Sequence, residues 1–139
     1  MNIDTIDLSL YNLILSSILT GIIIITQIVN YPLLKHVKVG FSSFHKEYVR
    51  RIGLVVAPLM LLEIIIVCFM LLENHDSSLT KLLLLLVILI WISTFFIQVP
   101  IHKQLSLDDK KNINLLIISN WIRTFCWLCK LIIAFILFI

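Results

Sequence analysis

Between Lys81 and His102 the chain runs for twenty residues without a charged side chain, LLLLLVILIWISTFFIQVPI. At 1.5 Å per residue a helix of that length covers about 30 Å, the thickness of the hydrocarbon core of a bilayer. Backbone amides in hydrocarbon have to be satisfied inside the structure, so such a run can be a transmembrane helix or a strand of a closed barrel. A barrel strand alternates apolar and polar residues over about ten positions, and LLLLLVILIWI does not alternate. The run is a transmembrane helix.

Three more apolar stretches of spanning length follow the same logic. The spans expected are about residues 10–34, 43–72, 82–101 and 113–139, with the charge-rich segments between them. Across 139 residues the composition is 60% hydrophobic and 14% charged, where a soluble domain has roughly 45–50% and about 25%. A soluble globular fold is excluded. With 3 Gly, 3 Pro and 3 Cys the chain is not collagenous, disordered or a disulfide scaffold, and a net charge of +3 is too small to suggest a nucleic-acid partner. The expectation is one all-α domain, an integral membrane four-helix antiparallel bundle. MNIDTIDLSL has no basic residue and leads into a full-length span, so helix 1 is expected in the mature protein and not as a cleaved signal peptide. After a break at Gly40, the positions Phe44, Tyr48 and Ile52 recur every four residues, which extends helix 2 beyond the membrane on that side.

Polar side chains are costly in hydrocarbon and turn toward a bundle interior or a cavity. On helix 1, Thr20, Gln27 and Tyr31 lie seven and four apart with Asn30 beside them; on helix 3, Trp91, Thr94, Gln98 and His102 follow at three, four and four. On helix 4, Asn120, Arg123, Trp127 and Lys130 follow at three, four and three, and helix 2 carries Glu63. Such spacings put each set on one helix face. Most of these residues fall at the end of the bundle near the first and third loops, where Pro32, Pro58 and Pro100 also lie, and a cavity walled in part by prolines is expected there. Glu63 and Lys130 sit deeper, ten residues before Glu73 and nine before Ile139, roughly 14 to 15 Å from the opposite end. They are expected to form a buried pair at the floor of the cavity. Polar stripes also simply join helices, and Lys130 can snorkel outward, so these alternatives stay open.

No metal site is expected. His45 and Glu63 share a face of helix 2 but are eighteen residues apart, roughly 27 Å. His45 and His102 can meet at the cavity mouth, which leaves haem or a metal as an alternative cofactor. Cys126 and Cys129 form a C-x-x-C without the βαβ setting of a redox motif.

The order of the short motifs, NYP at Asn30 to Pro32, FSSFHKEYVRR before Pro58, TFFIQVPIHKQL from Thr94 to Leu105 and NWIRTFCW from Asn120 to Trp127, resembles the small four-span proteins of the anthrone oxygenase-like family. The resemblance covers the whole chain. It implies a four-helix bundle that oxidises a small lipophilic, often aromatic, substrate with no obvious cofactor, and it carries over His45, Arg51, Pro100, Asn120 and Arg123. The chain departs from the pattern in Glu63 and Lys130 and in its short outer loop. The reading is a membrane-embedded oxidoreductase or oxygenase. In it Arg123 and Asn120, with Gln98, stabilise oxyanion charge, and His45 or His102 serves as acid or base. Gln27, Asn30, Tyr31, Arg51, Glu63, Trp91, Thr94, Gln98, Trp127 and Lys130 are the candidate substrate contacts. Two alternatives are a proton-coupled exporter of lipophilic cations that uses Glu63, which Lys130 opposes by its charge, and a haem-binding protein. The partners expected are the lipid bilayer and a small lipophilic molecule, with a homo-oligomer left open.

Orientation follows from the Lys and Arg residues of the short loops, which are in excess on the cytoplasmic side. The first and third loops hold Lys35, Lys38, Lys46, Arg50, Arg51, Lys103, Lys110 and Lys111, the second only Lys81, and the N-terminus Asp4 and Asp7. Both termini are therefore expected outside the inner (plasma) membrane. Cysteines introduced at Lys38 and Asn74 test this: an impermeant thiol reagent added outside labels position 74, and labelling of position 38 instead reverses the topology.

Overall fold

The computed structural model describes residues 5–107 and 110–139. Asp4, and the side chains of Asp7 and Lys111 used in the charge count, lie outside that set. The described residues form four long helices and no strand: α1 (residues 5–34), α2 (Phe41–Glu73), α3 (Ser78–Leu105) and α4 (Ile113–Phe138), each long and apolar enough to cross a membrane. α1 and α3 each pack against both α2 and α4, so the four close into a ring. Short connections make neighbours antiparallel.

The ends of the helices follow from local chemistry. Gly40 takes φ +65° and ψ +29° before α2, a left-handed conformation that glycine adopts without a Cβ penalty. Ser77 caps α3 by accepting a hydrogen bond from the Thr80 amide at 3.2 Å, a standard N-cap arrangement. The expected extension of α2 is present but its face is offset. Phe41 and His45 are buried with Tyr48, Val49 and Ile52 half-buried, whereas Phe44, counted as the first residue of the apolar period, is exposed. The anchor is Phe41, which packs with Tyr31, Leu34, Ile101, Leu105, Ile113 and Leu116, and helical periodicity from it runs through position 45 instead of 44.

α1 and α3 each widen into a π turn, at Thr26–Asn30 and Thr94–Gln98. Each turn ends two residues before a proline, Pro32 or Pro100. Proline lacks an amide hydrogen and its ring collides with the carbonyl four residues back. The extra residue in the turn lets the helix continue, with Tyr31 N–H donating to Thr26 O and Val99 N–H to Thr94 O. The prolines themselves do not wall the cavity as expected: Pro58 and Pro100 are exposed and Pro32 is half-buried. The ring is the part of the turn that repels the backbone, and it faces outward.

Apolar layers fill the ring at three levels. Tyr31, Phe41 and Leu105 lie near the first and third loops, Leu19, Met60, Ile90 and Trp127 in the middle, and Leu8, Val67, Leu83 and Ile133 at the other end. Between the middle and last layers sits the expected ion pair. Lys130 Nζ is 3.2 Å from Glu63 Oε1 and both side chains are 0% exposed. Lys130 also donates to Asn12 Oδ1 at 2.8 Å and Ser16 Oγ at 2.6 Å, and Trp127 Nε1 donates to Glu63 Oε1 at 3.2 Å. One ammonium thus joins α1, α2 and α4. Removing one partner of a buried pair leaves the other charge uncompensated, so Glu63→Gln should lower the stability of the bundle on the order of 3 to 5 kcal/mol. Glu63→Gln with Lys130→Met should recover part of it in chemical-denaturation curves. Equal stability of the single and double variants would mean that the two side chains do not interact.

Candidate functional site

Between the upper and middle apolar layers α1, α2 and α3 stand around a cavity of about 490 Å³, and Arg123 and Trp127 of α4 close its back. The volume is in the range of small-molecule sites. The walls are mainly apolar, from Leu19, Ile22 and Ile23 of α1, Ile52, Val56 and Met60 of α2, and Phe95 and Val99 of α3. Ala57, Leu61 and Phe95 line the cavity and are also exposed. This margin lies on the apolar outer surface of α2 and α3, the surface a bilayer covers.

The α3 stripe is formed as expected: Trp91, Thr94, Gln98 and His102 all line the cavity. The π turn at Thr94–Gln98 lies within this stripe, and side chains on both sides of it reach the cavity. Tyr31, Arg123 and Trp127 line it too. The remaining candidates lie elsewhere. Glu63 and Lys130 are not at the cavity floor; the Trp127 indole forms that floor and the pair lies beneath it, bonded to its Nε1. Gln27 and Asn120 join α1 to α4, with Asn120 Nδ2 donating to Gln27 Oε1 at 2.7 Å and Gln27 Nε2 to Ile117 O at 3.0 Å. Asn120 Oδ1 then accepts from Arg123 Nη1 at 3.3 Å, so this pair orients the guanidinium without touching the cavity. Asn30 is half-buried and outside the lining. Arg51 points away: its side chain is 74% exposed and bonds Glu47 Oε1 at 2.6 Å.

Arg123 is 7% exposed. Its guanidinium lies 5.2 Å from the Trp127 ring and close to the hydroxyls of Tyr31 and Tyr48. Among the described residues no carboxylate pairs with it, and its Nε has no hydrogen-bond partner. Tyr48 Oη, Trp91 Nε1 and Gln98 Oε1, all on cavity-lining residues, are buried without partners as well. Gln98 uses only its amide nitrogen, donating to Ser119 Oγ at 3.0 Å. Three unpaired donor atoms therefore stand against one unpaired carbonyl acceptor, with Tyr48 able to act either way. Tyr48 was read from the sequence only as an apolar spacing position. Its hydroxyl emerges as part of the site because α2 is rotated onto Phe41.

His45 does not line the cavity but stands directly behind His102. Ser106 Oγ is 3.0 Å from His45 Nδ1, His45 Nε2 is 3.0 Å from His102 Nδ1, and His102 Nε2 is 3.1 Å from Tyr31 Oη. The two imidazoles lie edge to edge with centroids 5.1 Å apart and planes 28° apart, with Phe41 against His45 at 5.5 Å. All four ring nitrogens are thus engaged. An axial haem ligand needs a free one, so this arrangement does not fit haem, and among the described residues no three His, Cys, Asp or Glu side chains converge. Compared with known protein families, curated proteins and solved structures, the chain matches none.

Two substitutions separate the cavity from its support. Arg51→Ala should leave the quenching of tryptophan fluorescence by a lipophilic ligand unchanged, because Arg51 faces away. Asn120→Leu leaves Gln27 Oε1 without its donor in a buried site and should cost about 1–3 kcal/mol in denaturation.

Proposed function

We propose that this protein is a membrane-embedded oxidoreductase or oxygenase that takes a small lipophilic substrate with an acidic or carbonyl head into the cavity between α1, α2 and α3. The observation that carries this reading is Arg123: a buried cation on the cavity wall with an unpartnered Nε and, among the described residues, no carboxylate paired with it. A charge at such depth costs at least about 2.5 kcal/mol, which a bound anion or developing oxyanion offsets. Donors held in place before reaction, in a site that excludes water, are the arrangement that stabilises an enolate or phenolate most strongly. His102, on the cavity wall, is the acid–base group that acts on a substrate through the Tyr31 hydroxyl bonded to its Nε2. The apolar walls take the body of the molecule. The resemblance to anthrone oxygenase-like proteins adds the reaction class, with molecular oxygen as oxidant of the resonance-stabilised anion.

The charge asymmetry of the loops supports an inner (plasma) membrane protein with both termini outside, which puts the cavity in the cytoplasmic half. The exporter reading, in which Glu63 exchanges a proton for a cationic substrate, is opposed by Glu63 being fully buried and bonded to both Lys130 and Trp127.

A lipophilic aromatic acid and its methyl ester, titrated against the protein in nanodiscs, test the site. The wild type should prefer the acid by about tenfold or more, a difference of roughly 1.4 kcal/mol, and Arg123→Met should lose that preference while Arg123→Lys keeps part of it. Equal binding of acid and ester by the wild type would remove the proposed role of Arg123. Oxygen uptake with lipophilic phenols and C–H acids, abolished by Arg123→Met, tests the reaction class.

A further inference from the structure

We propose that Ser106, His45, His102 and Tyr31 form a proton relay that connects the cavity to the surface at the end of α3, with Tyr31 as the group that meets the ligand. The relay rests on the enzymatic reading only for the identity of the molecule that gives up the proton.

The geometry is that of a continuous wire. Three successive heteroatom distances of 3.0, 3.0 and 3.1 Å link four side chains drawn from α1, α2, α3 and the residue that ends α3. Tyr31 is buried and lines the cavity, His45 is fully buried, and Ser106 is half-exposed beside the exposed Leu107. The wire therefore has one end at the cavity and one at solvent, with His45 between them shielded from both. Ser42 Oγ donates to Ser106 O at 2.6 Å and fixes the outer end. The stacked Phe41 holds the His45 ring in plane with its neighbours.

The tautomers make the transfer balance. With Tyr31 O–H donating to His102 Nε2, His102 Nδ1–H donates to His45 Nε2 and His45 Nδ1–H to Ser106 Oγ. When a ligand proton bonds to the Tyr31 oxygen, the Tyr31 O–H bond breaks and its proton bonds to His102 Nε2. The Nδ1 proton of His102 moves to His45 Nε2, and that of His45 moves to Ser106, which releases its own to water. One proton leaves the ligand and one reaches the surface. Each ring ends neutral in its other tautomer, and no oxidant or reductant is consumed.

The surroundings favour passage over storage. Arg123 of α4 lies next to Tyr31 and acts on His102, and Tyr48 of α2 also faces Tyr31. Lys110 stands over the Phe41 ring at 4.9 Å on the other side of His45. Glu47, two residues after His45, turns outward to Arg50 and Arg51. With cations at both ends and, among the described residues, no carboxylate along the wire, none of those residues offers an added proton a counter-charge. A proton that enters one end is matched by one leaving the other.

Nitrogen-15 NMR of the protein labelled at its histidine rings, in nanodiscs without ligand, tests the relay. The spectrum should contain a through-hydrogen-bond coupling between His45 Nε2 and His102 Nδ1, and the shared proton should exchange with water. Ser106→Ala and Tyr31→Phe should each slow that exchange about tenfold, the factor for one lost hydrogen bond of ordinary net strength, with the nitrogen–nitrogen coupling retained. A merely structural pair of rings exchanges through local opening, which neither substitution slows. Absence of the coupling, or exchange that is unchanged in either variant, would overturn the relay. The acid-against-ester titration is independent of this result, so a failed relay and a failed ligand site are distinguishable.

Discussion

Lys130 is the point on which the bundle depends. An ammonium in the middle of a membrane is expensive, and its expense fixes the arrangement of three helices, because α1 has to bring Asn12 and Ser16, and α2 has to bring Glu63, to one place. Interhelical hydrogen bonds in membranes average only about 0.6 kcal/mol, so no single contact here is strong. The discrimination comes from the alternative. Any rotation or slide of α1 or α2 that separates these groups leaves a buried charge unpaired. The Trp127 indole transmits this register upward, since it bonds Glu63 below and forms the cavity floor above.

Above that floor the same physics is left incomplete. Arg123 is buried like Lys130 but lies nearer the first and third loops and, among the described residues, has no counter-ion, and Tyr48, Trp91 and Gln98 each keep one unpaired polar atom. Buried polar groups are nearly always satisfied in native structures, so four unsatisfied atoms on residues lining one cavity are a concentrated exception. Trp127 thus separates the Lys130 network, in which Asn12 Nδ2 is left without a partner, from the cavity side, where four such atoms gather. The first network holds the helices in register, and the second is the one on which the proposed binding site rests.

The architecture was legible in the sequence because hydrophobic length and hydrogen-bond satisfaction leave a membrane chain few alternatives. The α3 stripe and the pairing of Glu63 with Lys130 were legible from helical spacing and matched depth. What was not legible is which neighbour each polar face meets. Gln27 and Tyr31 are four residues apart on α1, yet Gln27 turns to α4 and Tyr31 to the cavity, because the helix meets two neighbours over that length. Arg51 was placed by resemblance, and Phe44 by a period counted from the wrong residue. Asn12 and Ser16 escaped notice because small polar residues near a helix start carry no signal until a cation is seen to need them.

The exposed margin at Ala57, Leu61 and Phe95 has a consequence for how tightly the cavity has to hold its occupant. A molecule arriving there comes from the hydrocarbon phase and not from water. Its concentration at the opening is set by its partition coefficient, which rises with each methylene at about 0.8 kcal/mol. For a ligand of the proposed kind, burial of its apolar body is then already accomplished by the bilayer, and selection among membrane-dissolved molecules would fall on the head group alone.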